Sequence, residues 1–161
     1  FEPPESNVMQ RPPRNPKEPI LTGFLIWRII FVSLILVTGT FGLFIWERDH
    51  GASIELARTV AVNTLVMFEI FYLFNSRFLL APSLNLNGLF GSRYVLYAIV
   101  LLIGFQLALT YLGPMQLMFA TSAMSAEAWL RVVLVASSVL FLVEIEKFLL
   151  RTFVFRNKEN A

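Results

Sequence analysis

Long apolar blocks separated by short polar stretches dominate the pattern of this chain. Three blocks, residues 24–46, 59–76 and 94–112, contain at most one charged residue each, and a fourth, residues 129–148, is uncharged from 132 to 143. An α-helix rises 1.5 Å per residue, so about 20 apolar residues cross the hydrocarbon core of a bilayer. The fourth block reaches that length if Glu144, Glu146 and Lys147 form an ion-pair cluster at the membrane interface. The pattern therefore predicts an all-α protein with a bundle of four transmembrane helices.

The composition agrees with a membrane protein and excludes an ordinary soluble domain. Of the 161 residues, 57% are hydrophobic and 15% are charged, whereas soluble domains contain about 25% charged residues. The chain has no Cys, which excludes disulfides and thiolate metal sites. It has no constellation typical of a soluble enzyme, and its one His, His50, falls in a predicted turn. We expect the lipid bilayer as a partner, and no nucleic acid.

The basic residues predict the orientation. With the N-terminus in the cytoplasm, ten of the 13 Lys and Arg residues lie on the cytoplasmic side. The three on the other side are Arg48, Arg58 and Arg131. The positive-inside rule therefore places both termini in the cytoplasm. Trp27, Trp46 and Trp129 fall near helix ends, as expected for an aromatic belt. We expect a multi-pass integral membrane protein of the plasma (inner) membrane.

Three regions follow along the chain. Residues 1–20 are a Pro-rich cytoplasmic arm, residues 21–155 hold the four membrane helices, and residues 156–161 are a cytoplasmic tail. The prolines prevent a continuous helix in the arm, which is either a disordered tail or a contact to a partner. The first residue is Phe rather than Met, from which we expect a processed chain or a fragment.

Glu69 is the candidate functional residue, because it lies near mid-bilayer in the second block. A charged side chain at a helix centre costs about 2.5–3.5 kcal/mol on insertion scales, and such residues usually face a cavity or a partner. No basic residue lies at the matching depth in the other blocks. Glu69 is thus either a cation or proton ligand or a protonated packing residue. Its candidate outer-sphere partners are Tyr72, Ser76 and Asn63.

Other features predict helix packing. Asn63 lies on a different face of its helix from Glu69 and is expected to bond to a neighbouring helix, as is Gln106. Ser125 predicts a helix start. Small residues allow helices to approach closely in lipid. The sequence offers them as Thr38, Gly39 and Gly42 in the first block and Gly104 and Ala108 in the third.

Several stretches resemble type II P-type cation-transporting ATPases, calcium-pump-like. "FEPPESNVMQRPPRNPKEPIL" is similar to the loop after the sixth membrane helix of those pumps, and "VNTLVMFEIFYLFNSR" resembles their eighth helix. "LTYLGPMQLMF" and "VEIEKFLLR" resemble the ninth-helix exit and the tenth-helix end. The resemblance covers essentially the whole chain, whose four helices would be numbers seven to ten.

This resemblance implies the C-terminal membrane segment of an ATP-driven pump. Such pumps use ATP and Mg²⁺ and phosphorylate a D-K-T-G motif, which is absent from this sequence, so the segment alone should have no ATPase activity. By position, Glu69 matches a carboxylate that ligates Ca²⁺ in calcium pumps, which makes Ca²⁺ the expected ion. Tyr72 stands where those pumps carry Asn, and the family also includes Na⁺, K⁺ and H⁺ pumps.

The resemblance also implies partners for the segment. These are the remaining membrane helices and the cytoplasmic domains of the parent pump. The coupling contacts expected in the arm are made by Arg11, Pro12, Pro13 and Arg14.

Two other functions stay open at this stage. One is a stand-alone membrane scaffold or regulatory subunit, in which Glu69 pairs with a partner helix. The other is part of a proton-coupled secondary transporter, in which Glu69 relays protons. The coding sequence upstream of Phe1 separates them, because a pump requires a long open reading frame with D-K-T-G and six further spans.

Overall fold

A computed structural model describes residues 23–76, 93–150 and 152, with residues 76 and 150 described by their backbone alone. The Pro-rich arm, with the coupling contacts predicted at residues 11–14, and the tail at 156–161 lie outside the described residues. Five helices follow one another: α1 (Gly23–Asp49), α2 (Ile54–Ser76), α3 (Arg93–Tyr111), α4 (Gly113–Phe119) and α5 (Ala126–Leu150). Four of them, all but α4, are long and apolar enough to cross a membrane. The described part of the chain thus confirms the all-α class with four spanning helices.

Two helix starts at the outer end of the bundle, the end predicted to face away from the cytoplasm, follow from local capping. Ser53 accepts a hydrogen bond from the Leu56 amide at 3.2 Å, so α2 begins before its apolar block. Ser125 caps α5 in the same way through the Ala128 amide at 3.2 Å, as predicted. The turn between α1 and α2 is tight because Gly51 takes a φ of +82°, which only glycine adopts at low cost.

Three of the spanning helices share one core. Two clusters of buried apolar residues lie one above the other where α1, α2 and α5 meet. The first contains Val32, Phe68, Ala136, Val139 and Val143, and the second contains Leu43, Val60, Met124, Ala128 and Val132. A Cβ atom at Gly39 would overlap the ring of Phe68 and lie 3.3 Å from Val135. The predicted close approach at Gly39 is therefore confirmed, and it joins all three helices.

Two ion pairs tie α1 to α5 at opposite ends. Arg28 and Glu146 meet at 2.7 Å, with their side chains 4% and 7% exposed. At the other end Arg131 contacts Glu47 at 2.8 Å and lies over the ring of Trp46 at 4.4 Å. Arg28 and Glu47 are 19 residues apart, about 28 Å along the helix axis, close to the ~30 Å thickness of the hydrocarbon core. The two pairs therefore lie near the two membrane interfaces.

Helix α3 lies outside the three-helix core and leans against α2. Its buried residues are Ile99 and Thr110, whereas Val100, Leu101 and Phe105 are more than 60% exposed. Added Cβ atoms at Gly104 and Gly42 would meet nothing within 4 Å. Among the described residues these two glycines contact no neighbouring helix, so their predicted packing role stays a prediction.

Helix α4 returns the chain on the outer side and was not predicted. Pro114 occupies its first turn, where the missing N–H has no intrahelical partner in any helix. Its side chains Leu117, Met118 and Phe119 are exposed. Hydrogen bonds fold α4 and the following loop back onto α3, from Gln116 to the Thr110 carbonyl at 2.6 Å and from Thr121 to the Leu109 carbonyl at 2.7 Å.

Candidate functional site: an unpaired carboxylate between two membrane helices

Glu69 lies on the side of α2 that faces away from the three-helix core. Its predecessor Phe68 is fully buried in that core, whereas Glu69, about 100° further around the helix, is exposed. The Glu69 side chain is exposed and lines a cleft of about 170 Å³. From α2 the cleft is lined by Glu69, Ile70 and Leu73, and from α3 by Ala98, Ile99 and Leu102. The remaining lining from the described residues is apolar, and among them Glu69 alone brings a charge to the cleft.

The lack of a counter-charge sets Glu69 apart from the other carboxylates near the membrane. Glu47 and Glu146 each pair with an arginine, and Glu144 accepts a hydrogen bond from the buried Lys147 at 3.1 Å. These contacts confirm the ion-pair cluster predicted around Lys147 and extend it to Arg28. Across the residues that the structure describes, Glu69 has no hydrogen bond or ion pair. Glu69 is therefore left available to a group outside them.

One carboxylate does not make a complete cation site. No three His, Asp or Glu side chains come together in the described ranges 23–76 and 93–150. Calcium takes six to eight oxygen ligands, of which one carboxylate supplies one or two. Any cation bound at Glu69 would thus need oxygen atoms from elsewhere.

The three residues predicted to be outer-sphere partners of Glu69 do not share one position relative to the cleft. Tyr72 is half-buried, packs against the core cluster around Phe68 and is not part of the cleft lining. The side chain of Ser76 lies outside the described residues. Asn63 is fully buried near the outer end of α2. The structure thus does not gather Tyr72 and Asn63 around Glu69, and their outer-sphere role stays a prediction.

Asn63 is instead the centre of a hydrogen-bond cluster that joins α2 to α3. Its side-chain amide donates to the Thr59 carbonyl at 2.9 Å, to the Thr110 hydroxyl at 3.0 Å and to the Met124 sulfur at 3.4 Å. Its carbonyl oxygen accepts from the Gln106 amide at 3.4 Å. The predicted interhelical bonding of Asn63 and Gln106 is confirmed, and we name Asn63, Gln106 and Thr110 the amide clamp. That these two amides meet each other could not be read from the sequence.

Comparison with known proteins identifies the family. The family described as "Cation transporting ATPase, C-terminus" matches residues 1–149. The chain is 39% identical over 151 residues to the "Probable cation-transporting ATPase F" of Mycobacterium bovis, which covers 94% of this chain and 17% of that protein. It is 34% identical over 148 residues to the human "Calcium-transporting ATPase type 2C member 1" (91% of this chain, 16% of that protein). It is 28% identical over 160 residues to the "Calcium-transporting ATPase 1" of Yarrowia lipolytica (99% and 17%).

The chain corresponds to a small part of a longer protein, and the matching family describes a C-terminal region. The chain spans about 17% of the length of these relatives. It also contains four helices able to cross a membrane. The chain therefore belongs to the cation-transporting P-type ATPases, of which it is a C-terminal, multi-pass membrane region.

Proposed function

We propose that this region supports the transport helices of an ATP-driven pump and supplies the Glu69 carboxylate as one ligand of the transported cation. The observation that carries the proposal is that Glu69 lies within the apolar block of α2, is exposed, and is directed away from the core of its own chain. The ion pairs at Arg28 and Arg131 hold α1 and α5 together and so give α2 a rigid base. From that base, α2 presents Glu69 to the helices that precede this segment in the pump.

The cost of the exposed carboxylate supports a functional role. A charged residue at the centre of a membrane helix costs about 2.5–3.5 kcal/mol on insertion scales. The chain offsets that cost for Glu47 and Glu146 with arginine partners. Glu69 has no such partner among the described residues. Intramembrane acids of this kind mark ion and proton pathways.

We infer that the transported cation is Ca²⁺. Carboxylate oxygen is the ligand that this hard cation prefers. Two of the relatives are named as calcium-transporting, and a third is named only as cation-transporting. ATP and Mg²⁺ are bound by other parts of the pump, which we place in the plasma (inner) membrane. The remaining ligands come from its other membrane helices.

Cation-dependent phosphoenzyme formation by the full-length pump tests the proposal. We expect Glu69→Gln to raise the Ca²⁺ concentration for half-maximal phosphorylation. A contact as strong as one hydrogen bond to a charged group contributes about 1.5–3 kcal/mol. Its loss corresponds to a rise of about tenfold or more in the half-maximal Ca²⁺ concentration. The matched control is Glu127→Gln, because Glu127 is exposed at the outer start of α5. An unchanged half-maximal concentration in Glu69→Gln removes Glu69 from the ligand set.

A further inference from the structure

Helix α3 forms one wall of the Glu69 cleft but is weakly held beside it. Ala98, Ile99 and Leu102 line the cleft, and Ile99 is the only apolar residue of α3 that is buried. Gly104 lies in open space, so α3 makes no small-residue contact with a neighbour at that point. Because lipid tails are as apolar as the helix surface, apolar burial alone does not fix one membrane helix against another.

Among the residues that the structure describes, the side-chain hydrogen bonds that join α3 to α2 and α5 lie at its outer end. Gln106 and Thr110 meet Asn63 of α2. One turn further, the Tyr111 hydroxyl donates to the Met124 carbonyl at 2.9 Å and accepts from the Trp129 indole at 2.8 Å. The outer end of α3 is thus tied to α2 and to the start of α5.

The amide clamp lies directly above the cleft. Gln106 is four residues from Leu102, so the two side chains share the face of α3 that looks toward α2. Gln106 is seven residues from Ile99, about 10 Å along the helix. A shift of α3 at the level of Gln106 is therefore transmitted to the wall of the cleft by a rigid helix.

We propose that Gln106, through its bond to Asn63, is a positioning residue that fixes α3 against α2 and so sets the width of the Glu69 cleft. An amide in the membrane interior needs a hydrogen-bond partner. The Asn63 carbonyl oxygen provides one, and this requirement holds α3 at one rotation and one depth. Gln106 acts through α3 and not by contact with the ion. The effect on ion binding rests on the ligand role proposed for Glu69, whereas the effect on helix position does not.

Cross-linking across the cleft tests the position of α3 directly. The segment has no Cys, so Leu73→Cys and Ala98→Cys, on opposite walls of the cleft, introduce its only two cysteines. In the full-length pump each single-Cys variant measures the background from cysteines elsewhere. We expect Gln106→Met to slow cross-linking of this pair by about threefold, the factor that a typical interhelical hydrogen bond contributes in a membrane. Gln116→Met is the matched control, because the Gln116 side chain donates to the Thr110 carbonyl inside the α3–α4 corner and, among the described residues, bonds to neither α2 nor α5. We expect it to leave the rate unchanged.

A second variant covers the case in which Gln106→Met does not reach the membrane. Gln106→Asn keeps the amide and shortens the side chain by one methylene, so the bond to Asn63 at 3.4 Å is lost while polarity is retained. It should slow cross-linking in the same direction. Cross-linking at the native rate in either variant overturns the positioning role.

The Ca²⁺ dependence of phosphorylation separates the positioning role of Gln106 from the ligand role of Glu69. It is measured in the pump without the introduced cysteines. We expect Gln106→Met to raise the Ca²⁺ concentration for half-maximal phosphorylation and to leave the maximal level unchanged. Slower cross-linking with unchanged Ca²⁺ dependence supports the positioning of α3 and contradicts the ligand role of Glu69. Unchanged cross-linking contradicts the positioning role whatever the Ca²⁺ dependence.

Discussion

Replacing Gly39 with Ala perturbs a point of close approach between α1 and α2. An added Cβ would overlap the Phe68 ring, which is fully buried, and would lie 3.3 Å from Val135. The ring packs among Val32, Ala136 and other buried residues, so it has no empty space to turn into. Helix α1 must therefore move away, and such overpacking costs about 1–3 kcal/mol.

Gly42→Ala is the matched control for this change. Its added Cβ would meet nothing within 4 Å. Ala is favoured over Gly inside a helix by about 1 kcal/mol, and this gain applies at both positions. Since the gain cancels in the comparison, Gly39→Ala should have a free energy of unfolding about 1–3 kcal/mol lower than Gly42→Ala.

The 161-residue chain is unfolded in bicelles with increasing concentrations of a denaturing detergent, and tryptophan fluorescence follows the transition. The assay measures the difference in the free energy of unfolding between the two variants. A third variant, Gly39→Ala with Phe68→Leu, removes the ring that the new methyl group meets. The two changes should therefore couple, with an interaction energy of about 0.5–3 kcal/mol. Equal stability of Gly39→Ala and Gly42→Ala, or no coupling with Phe68→Leu, would refute the close approach of α1 and α2.

Three further predictions concern the ion pairs, the topology and the caps. Arg28→Met leaves the Glu146 carboxylate buried without its partner and should lower the free energy of unfolding by about 3–5 kcal/mol. The double change with Glu146→Leu should recover most of the loss in the same denaturation assay, and no recovery would contradict the pairing. A membrane-impermeant maleimide should label Ala123→Cys in intact cells and Gly23→Cys only after permeabilisation, and the reverse pattern would invert the topology. Ser53→Ala removes the cap of α2 and should cost about 1 kcal/mol in unfolding free energy, whereas a change near zero would show that the cap is not used.

The spanning helices could be predicted because hydrophobic length is a property of each segment alone. The same is true of the helix start at Ser125. Helix α4 was missed since its seven residues, GPMQLMF, make only two turns and carry no helical period. The outlying position of α3 was also unpredictable, because a helix that is apolar on every side gives no sign of which side meets protein.

The candidate site was predicted in part for a similar reason. The place of Glu69 inside the apolar block could be read directly from the sequence, because it is a property of that segment alone. The opposite wall at Ala98 and Leu102 could not, since it depends on how α3 is rotated and how deep it lies relative to α2. Gln106 and Asn63 were both expected to bond between helices, yet nothing in either segment indicates that each is the other's partner. Contacts between helices are properties of pairs, and a single sequence read segment by segment does not contain them.

The most direct test of the central claim is the reaction of Glu69 with a hydrophobic carbodiimide in the full-length pump. The carboxyl group lies in an apolar block and is exposed in this segment, so we expect a reagent that partitions into the bilayer to reach it. Mass spectrometry of the peptide containing Glu69 gives the rate of modification with and without Ca²⁺. We predict that saturating Ca²⁺ slows modification of Glu69, because a carboxylate that binds the ion is no longer available as a free acid. The same rate of modification with and without Ca²⁺, or with any other cation that activates the pump, would contradict the assignment of Glu69 as a ligand.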